Sequence, residues 1–145
     1  MEIERKWLIK KLPEQIADEI GAGRYPQHCI IQGYLCTDPV VRVRKDSDQY
    51  YLTYKGKGKL SREECNLPLN ADAFEKLVKK CEGIVLHKDR YEIPIENNGL
   101  VIELDLFHGD YEGLIYAEVE FAAEDEAKSF DAPSWFGREV TYEKG

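Results

Sequence analysis

No stretch of this chain is apolar over enough residues to cross a membrane as a helix. Charge begins at Glu2, and no apolar segment follows that could serve as a secretion signal, so the cytoplasm is the expected compartment. Cysteine is sparse. Cys29, Cys36, Cys65 and Cys81 show no C-x-x-C spacing, and the three histidines stand at no zinc-like distance from them. That argues against a zinc site and for free thiols, buried or semi-buried. A G-x-x-x-x-G-K-[ST] loop is missing, because Gly56-Lys57-Gly58-Lys59 lacks its spacing. Any bound phosphate would therefore be held by side chains and not by a helix N-terminus. A surplus of positive charge is missing too: 20 lysines and arginines face 28 acids, a formal net charge of −8. Nucleic acid is not the expected partner, although net charge leaves room for a local basic cavity.

What is present is a chain of 145 residues, the size of one domain, with 43% hydrophobic and 33% charged residues. Strand patterns cover 2–9, 29–36, 40–45, 49–55, 61–69, 85–95, 100–107 and 115–121, and 139–142 is a candidate last segment. Pro13 opens a short helix over 11–20. Asn70 caps a second, in which Phe74, Leu77, Val78 and Cys81 make an apolar stripe that Gly83 closes. A third short helix is expected over 124–130. Asn97-Asn98-Gly99 reads as a hairpin turn. The pattern predicts an α+β chain, residues 1–145 as one domain, dominated by an antiparallel sheet.

The strands share an unusual trait. Ionic residues recur two apart: Glu2/Glu4/Lys6, Arg42/Arg44, Lys55/Lys57, Lys88/Arg90, Glu103/Asp105 and Glu118/Glu120. Side chains two apart in a strand share a face. The opposite positions are mostly apolar, including Ile3, Val41, Val43, Ile102, Leu104 and Val119. A solvated sheet face explains one such strand. Across six strands the polar positions are nearly all charged, with bases on some strands and acids on others. Like charges stacked on one strand face repel unless something lies between them. Closing the sheet would turn this face into a wet lumen with counter-ions. Hard carboxylate oxygens suit Mg²⁺ or Mn²⁺, and arginine forks with lysine point charges suit a polyanion.

E-I-E-R-K at residues 2–6, Q-G-Y at 32–34, R-V-R at 42–44, T-Y-K at 53–55, L-S-R-E-E at 60–64, K-D-R-Y at 88–91, E-L-D at 103–105, E-V-E at 118–120 and W-F-G-x-E-V-T at 135–141 resemble the CYTH superfamily, the triphosphate tunnel metalloenzymes. The resemblance runs in order along nearly the whole chain. It implies an eight-stranded antiparallel β-barrel, a tunnel with helices packed outside, that binds a triphosphate with Mg²⁺ or Mn²⁺. By position, Glu2, Glu4 and Glu120, helped by Glu118 and Asp105, would hold metal. Lys6, Arg42, Arg44, Lys55, Lys88 and Arg90 would hold phosphates. Tyr34 matches a tyrosine proposed as a proton acceptor in similar bacterial proteins; a lid or packing role is the alternative.

Three positions depart from that pattern. Asn66 stands where relatives often carry a glutamate, Lys57 is not a dependable family position, and the chain ends soon after Tyr142. Lys144 fits a lysine of the usual continuation and is counted among the phosphate-binding candidates. Lys6, Tyr34 and Glu118 are the catalytic candidates, with a water oriented by a second metal or by a carboxylate such as Glu118. The expected activity is metal-dependent hydrolysis of the terminal phosphate of a triphosphate, inorganic tripolyphosphate first. The alternatives are adenylate-cyclase-type lyase chemistry, thiamine triphosphate hydrolysis, or a non-catalytic polyphosphate-binding module. A homodimer is possible. His28, His87 and His108 are expected in surface or turn roles, and Trp7 and Trp135 in packing.

Overall fold

The computed structural model describes residues 2–96 and 98–142; Asn97 of the expected hairpin turn and Lys144 lie outside the described residues. Nine strands form one antiparallel sheet: β1 (Glu2–Leu8), β2 (Gln27–Thr37), β3 (Val40–Asp46), β4 (Gln49–Lys55), β5 (Ser61–Arg62), β6 (Glu64–Leu69), β7 (Glu82–Pro94), β8 (Val101–His108) and β9 (Ile115–Glu120). Helices α1 (Glu14–Gly21), α2 (Ala71–Val78) and α3 (Glu124–Ser129) and a single 3-10 turn (Gly109–Tyr111) complete the elements among the described residues. The strand order is β5-β1-β9-β8-β7-β2-β3-β4-β6.

The two edge strands of that order are consecutive in the chain, separated by Glu63 alone. β5 pairs with β1 (Glu2 opposite Arg62, Ile3 opposite Ser61), and β6 pairs with β4 over Tyr50–Lys55. One interrupted stave therefore bridges the two ends of the sheet and nearly closes a barrel. The expected strand over 61–69 thus exists in two pieces, and eight staves appear as nine strands. The break lets one segment hydrogen-bond β1 first and β4 afterwards, which an unbroken two-edged strand of this length could do only at full closure.

The expected C-terminal strand is reduced to a single bridge, Trp7 with Glu139. Leu8 N donates to Arg138 O and Val140 N to Lys6 O, each at 2.8 Å. β5 thus serves β1 along Glu2–Ile3, and the C-terminal segment serves the same side of it along Lys6–Leu8. Gly137 is needed here, because a Cβ on it would lie 2.3 Å from the Leu8 carbonyl oxygen.

Asn70 caps α2 as the sequence predicts, its side chain accepting from Ala73 N at 2.7 Å. The helix stops at Val78, three residues earlier than the apolar stripe suggests. Lys80 N and Cys81 N instead bond three residues back, to Leu77 O and Val78 O. Gly83 is not the helix stop. It lies within β7 at φ +71, where β7 spends five residues (Glu82 to Leu86) against three of β2 (Gln32 to Tyr34).

The apolar faces pack outward. Trp7, Leu104, Ala117, Val119 and Phe121 from β1, β8, β9 and the residue after β9 are buried with Ala127 and Phe136 beneath α1, α3 and the C-terminal loop. Trp7 sits between Phe130 and Phe136, with ring centroids 5.7 and 4.9 Å away. On the other side, α2 covers β2, β3 and β4. The core thus lies between barrel and helices, and the barrel interior is left to the charged face. Among the described residues no helix is long and apolar enough to cross a membrane, and all four cysteines are free thiols.

Candidate functional site

Strand alternation sends Glu2, Glu4 and Lys6 of β1 inward, with Glu118 and Glu120 of β9 beside them; Glu4 faces Glu120 and Lys6 faces Glu118 across the ladder. Glu103 and Asp105 of β8 follow, then Lys88 and Arg90 of β7, with Arg90 opposite Asp105. Next round the ring come Gln32 of β2, Arg42 and Arg44 of β3, Thr53 and Lys55 of β4, and the mixed pair Arg62 and Glu64 of the split stave. The barrel is polarised as a result. Three adjacent strands carry acids, and the strands facing them carry bases.

These side chains enclose a cavity of about 230 Å³ lined by seven cations (Lys6, Arg42, Arg44, Lys55, Arg62, Lys88, Arg90), six acids (Glu2, Glu4, Glu64, Glu103, Glu118, Glu120) and one neutral residue, Gln32. A wider cavity of about 720 Å³ opens at one end, under the β2–β3 turn (Thr37–Val40), the Gly56–Lys59 loop and Val140–Thr141, and shares Glu4, Lys6 and Arg62 with the lumen.

The ion pairs across the lumen are close. Lys55 Nζ lies 2.7 Å from Glu2 and 3.8 Å from Glu4. Lys88 Nζ lies 2.8 Å from Asp105 Oδ2. Arg90 grips both Asp105 oxygens, Nε to Oδ1 at 2.7 Å and Nη2 to Oδ2 at 2.9 Å, and reaches Glu103 at 3.0 Å. Glu118 lies 3.4 Å from Lys6 and 3.7 Å from Arg90. The Lys6 ammonium also stands 4.6 Å from the centre of the Tyr116 ring.

Electrostatics separate the acids. Burial pushes the Glu2 carboxyl up to about 7, aided by Glu64 and opposed by Lys55. Burial and then the Glu118 charge push Glu4 up to about 8. Glu118 has the opposite fate: its burial favours the neutral form, but Lys6, Arg90, Lys88 and Lys55 outweigh it and hold the carboxyl well below the usual range. On the basic wall, burial lowers Arg44 to about 10, with Arg42 and Arg90 repelling it. Lys88 falls to about 7 through burial, against the pull of Asp105 and with Arg90 and Arg44 adding to the fall. Burial would lower Lys6 as well, yet Glu118, Tyr34, Asp105 and Glu4 leave it above the ordinary lysine value.

Most residues singled out from sequence meet here: Glu2, Glu4, Lys6, Arg42, Arg44, Lys55, Lys88, Arg90, Glu118 and Glu120 all line the lumen. Asp105 is 1% exposed and sits behind Lys88 and Arg90, with both oxygens taken by them. Tyr34 stands beside Gln32 in the wall, its hydroxyl oxygen accepting from Gln32 Nε2 at 3.3 Å. Lys57 belongs to the outer cavity and not to the lumen, because its loop leaves the sheet after Lys55. Lys144 lies outside the described residues.

Gln32, Arg62 and Glu64 are lumen residues that the charge ladder did not single out. Arg62 and Glu64 carried the signal, standing two apart on the same stave. Gln32 carries no charge and was invisible to a search for charges. Asn66, in the position where relatives often have a glutamate, accepts from Thr53 Oγ1 at 2.5 Å and donates to Glu64 at 3.1 Å. It is exposed and lies outside the cavity lining.

The CYTH domain family model matches residues 1–144. An inorganic triphosphatase of Nitrosomonas europaea is 38% identical over 99% of this chain and 91% of its own. An inorganic triphosphatase of Acetivibrio thermocellus is 43% identical over 76% of this chain and 70% of its own. A solved structure described as an inorganic triphosphatase superposes with a TM-score of 0.67 at 35% identity, covering 99% of this chain and 89% of the other. A Hippeastrum protein, described as a putative adenylyl cyclase with dominant triphosphatase activity, shares the fold at 13% identity and a TM-score of 0.64, over 88% of this chain and 83% of its own. A nearly closed antiparallel barrel, a charged interior and a family match across the length of the chain converge: this protein belongs to the CYTH family.

Proposed function

We propose that this chain hydrolyses the terminal phosphate of a triphosphate, that inorganic tripolyphosphate is its substrate, and that Mg²⁺ or Mn²⁺ is required. Family membership implies a divalent metal in general. The observation that carries the reading is the polarised lumen: acidic strands facing basic strands around about 230 Å³. That volume is below the range of pockets for drug-sized organic molecules and suits a short inorganic chain.

The basic wall also offers an anion a specific donor. Arg42 is 8% exposed, and its Nε is buried with no hydrogen-bond partner. Buried donors are nearly always satisfied, so an orphan guanidinium N–H inside a cationic wall fits a bound phosphate oxygen. In this reading Lys6, Arg42, Arg44, Lys55, Lys88 and Arg90 grip the phosphates and stabilise charge on the transferring group.

The acidic strands suit a metal in kind. Hard carboxylate oxygens crowd one wall, and burial has pushed Glu2 and Glu4 up to about 7 and about 8. Among the described residues no group of three or more such side chains forms a ready-made cage. A Mg²⁺-like ion takes only a few carboxylates and completes its shell with water and phosphate oxygens, so it does not require one. Glu2, Glu4 and Glu120 would hold it, with Glu118 behind them. When bound, the metal would neutralise phosphate charge and activate the leaving and attacking oxygens. Asp105 is left out of this set because Lys88 and Arg90 occupy both its oxygens; it orients the two cations.

Glu118 is held ionised by four cations, so it accepts a hydrogen bond from an attacking water more readily than it removes the proton. Lys6, 3.4 Å from Glu118, holds that carboxylate and faces the phosphates. The Tyr34 oxygen already accepts from Gln32, which leaves its own proton to donate inward.

A second reading rests on the outer cavity. Its 720 Å³ next to the lumen would admit the organic group of a nucleoside or thiamine triphosphate. A phosphate-release panel decides between the two. The expected result is orthophosphate from tripolyphosphate with Mg²⁺ or Mn²⁺, fastest of all substrates, and none with EDTA. Pyrophosphate release from ATP, faster than any orthophosphate release, would replace hydrolysis by lyase chemistry. Tight tripolyphosphate binding without turnover under either metal would leave a binding module.

A further inference from the structure

Among the described residues, Gln32 is the one neutral side chain that reaches the lumen cavity itself, against thirteen ionic ones; Thr53 and Tyr34 stand in the wall behind that surface. Gln32 is also 3% exposed. Its strand, β2, stands between β7, which carries Lys88 and Arg90, and β3, which carries Arg42 and Arg44. Gln32 therefore occupies the middle of the basic wall. A cation there would add to the repulsion that already lowers Arg44, and a carboxylate there would cancel part of the wall.

The hydrogen bonds specify which way the amide points. Arg44 donates twice to Gln32 Oε1, from Nε at 2.9 Å and from Nη2 at 2.6 Å. A guanidinium has no acceptor, so the oxygen must face Arg44 and the amide nitrogen must face away. That nitrogen donates to the Tyr34 hydroxyl at 3.3 Å. Gly33, between them, faces outward, where a Cβ would lie 2.8 Å from Cys81 Sγ. The Q-G-Y motif thus alternates in, out, in, and its glycine allows the chain leaving α2 to press on β2.

Asp105 offers the contrast. It holds Lys88 and Arg90 as firmly as Gln32 holds Arg44, but it cancels charge as it does so. Gln32 fixes the Arg44 fork by dipole alone and leaves its full charge for an anion.

We propose that Gln32 is a positioning residue that orients the Arg44 guanidinium and the Tyr34 hydroxyl toward the triphosphate while keeping the basic wall un-neutralised. This rests on the reading of the lumen as a triphosphate site. Gln32→Glu and Gln32→Met test it with three readouts: melting temperature of the free protein, the rise in that temperature on adding tripolyphosphate in EDTA, and KM against kcat with Mg²⁺. Gln32→Glu keeps the acceptor and adds a charge that pairs with Arg44. The free protein should melt at or above the wild-type temperature, the tripolyphosphate-induced rise should fall by at least half, and KM should increase at least tenfold. Gln32→Met removes all three hydrogen bonds, so the free protein should melt lower and kcat should fall with the loss of Tyr34 alignment.

A merely structural glutamine predicts the reverse pattern: both variants melt lower and KM stays at the wild-type value. A Gln32→Glu protein with KM within twofold of wild type, or with a lowered melting temperature, overturns the proposal. A wild-type protein whose melting temperature ignores tripolyphosphate and which releases no phosphate overturns the underlying triphosphate reading instead.

Discussion

Replacing Asp105 by asparagine changes little in shape and much in charge. The wild-type carboxylate is 1% exposed and accepts from Lys88 Nζ at 2.8 Å and from Arg90 at 2.7 and 2.9 Å. The Lys88 and Arg90 side chains are themselves 4% and 12% exposed. Removing one partner of a buried pair costs about 3–5 kcal/mol, because the remaining charge stays buried without compensation. Arg90 keeps Glu103 at 3.0 Å and Glu118 at 3.7 Å, but Lys88 keeps no other acid within 4 Å among the described residues. Lys88, already lowered to about 7 with Asp105 in place, sheds its proton once that carboxylate is gone and so escapes part of the penalty; the lower part of the range, about 3 kcal/mol, is therefore expected. For a chain of this size that is a fall in melting temperature of roughly 10 °C. Urea unfolding at pH 7 measures the energy directly. Adding Lys88→Met to Asp105→Asn should recover about half or more of the loss, since the buried, unpartnered amine goes with it. Asp105→Asn within about 1 kcal/mol of wild type, or a double variant less stable than the single one, would refute the argument that this carboxylate exists to hold two buried cations.

Other variants test other parts of the structure. Arg5 donates to both Glu139 oxygens at 2.9 and 2.6 Å and holds that carboxyl below its ordinary value of 4.5. A depressed carboxylate stabilises the fold above its unfolded value and loses that contribution as pH falls through its folded one. Glu139→Gln should thus be about 1–2 kcal/mol less stable than wild type at pH 7, with the difference closing below about pH 4 in urea titrations. Gly33→Ala forces a methyl group onto Cys81 Sγ, at 2.8 Å, and should cost about 1–3 kcal/mol; Cys81→Ala in the same chain should return most of it in thermal melts. Asn70→Ala removes the α2 cap and should cost about 1 kcal/mol with no change in KM for tripolyphosphate.

Much of the lumen was legible because strand alternation is a local rule. Glu2, Glu4 and Lys6 must share a face whatever else the chain does, and the same holds for Arg42 with Arg44 and Lys88 with Arg90. Trp7, by the same rule, had to face the helices, where Phe130 and Phe136 receive it. Gln32 stood in the Q-G-Y motif but received no role, since a neutral side chain leaves no trace in a charge pattern. Asp105 looked like one acid among several, because its two partners come from the neighbouring strand. Lys57 fits the spacing of Lys55 but sits beyond the end of β4, where alternation no longer applies.

Local chemistry in the sequence therefore determined which side chains travel together on a strand and that the bases and acids sit on different strands. It could not decide that these faces turn inward. That choice lies in pairings between distant segments: Glu2 with Arg62 across the split stave, and Arg5 with Glu139, 134 residues apart. Closure is a property of all staves at once, through strand number and stagger, and no window of residues contains it. The same closure makes the lumen's electrostatics. Only when acidic and basic strands are bent to face each other does Glu118 sink well below the usual carboxylate range while Glu4, buried and beside the Glu118 charge, rises to about 8.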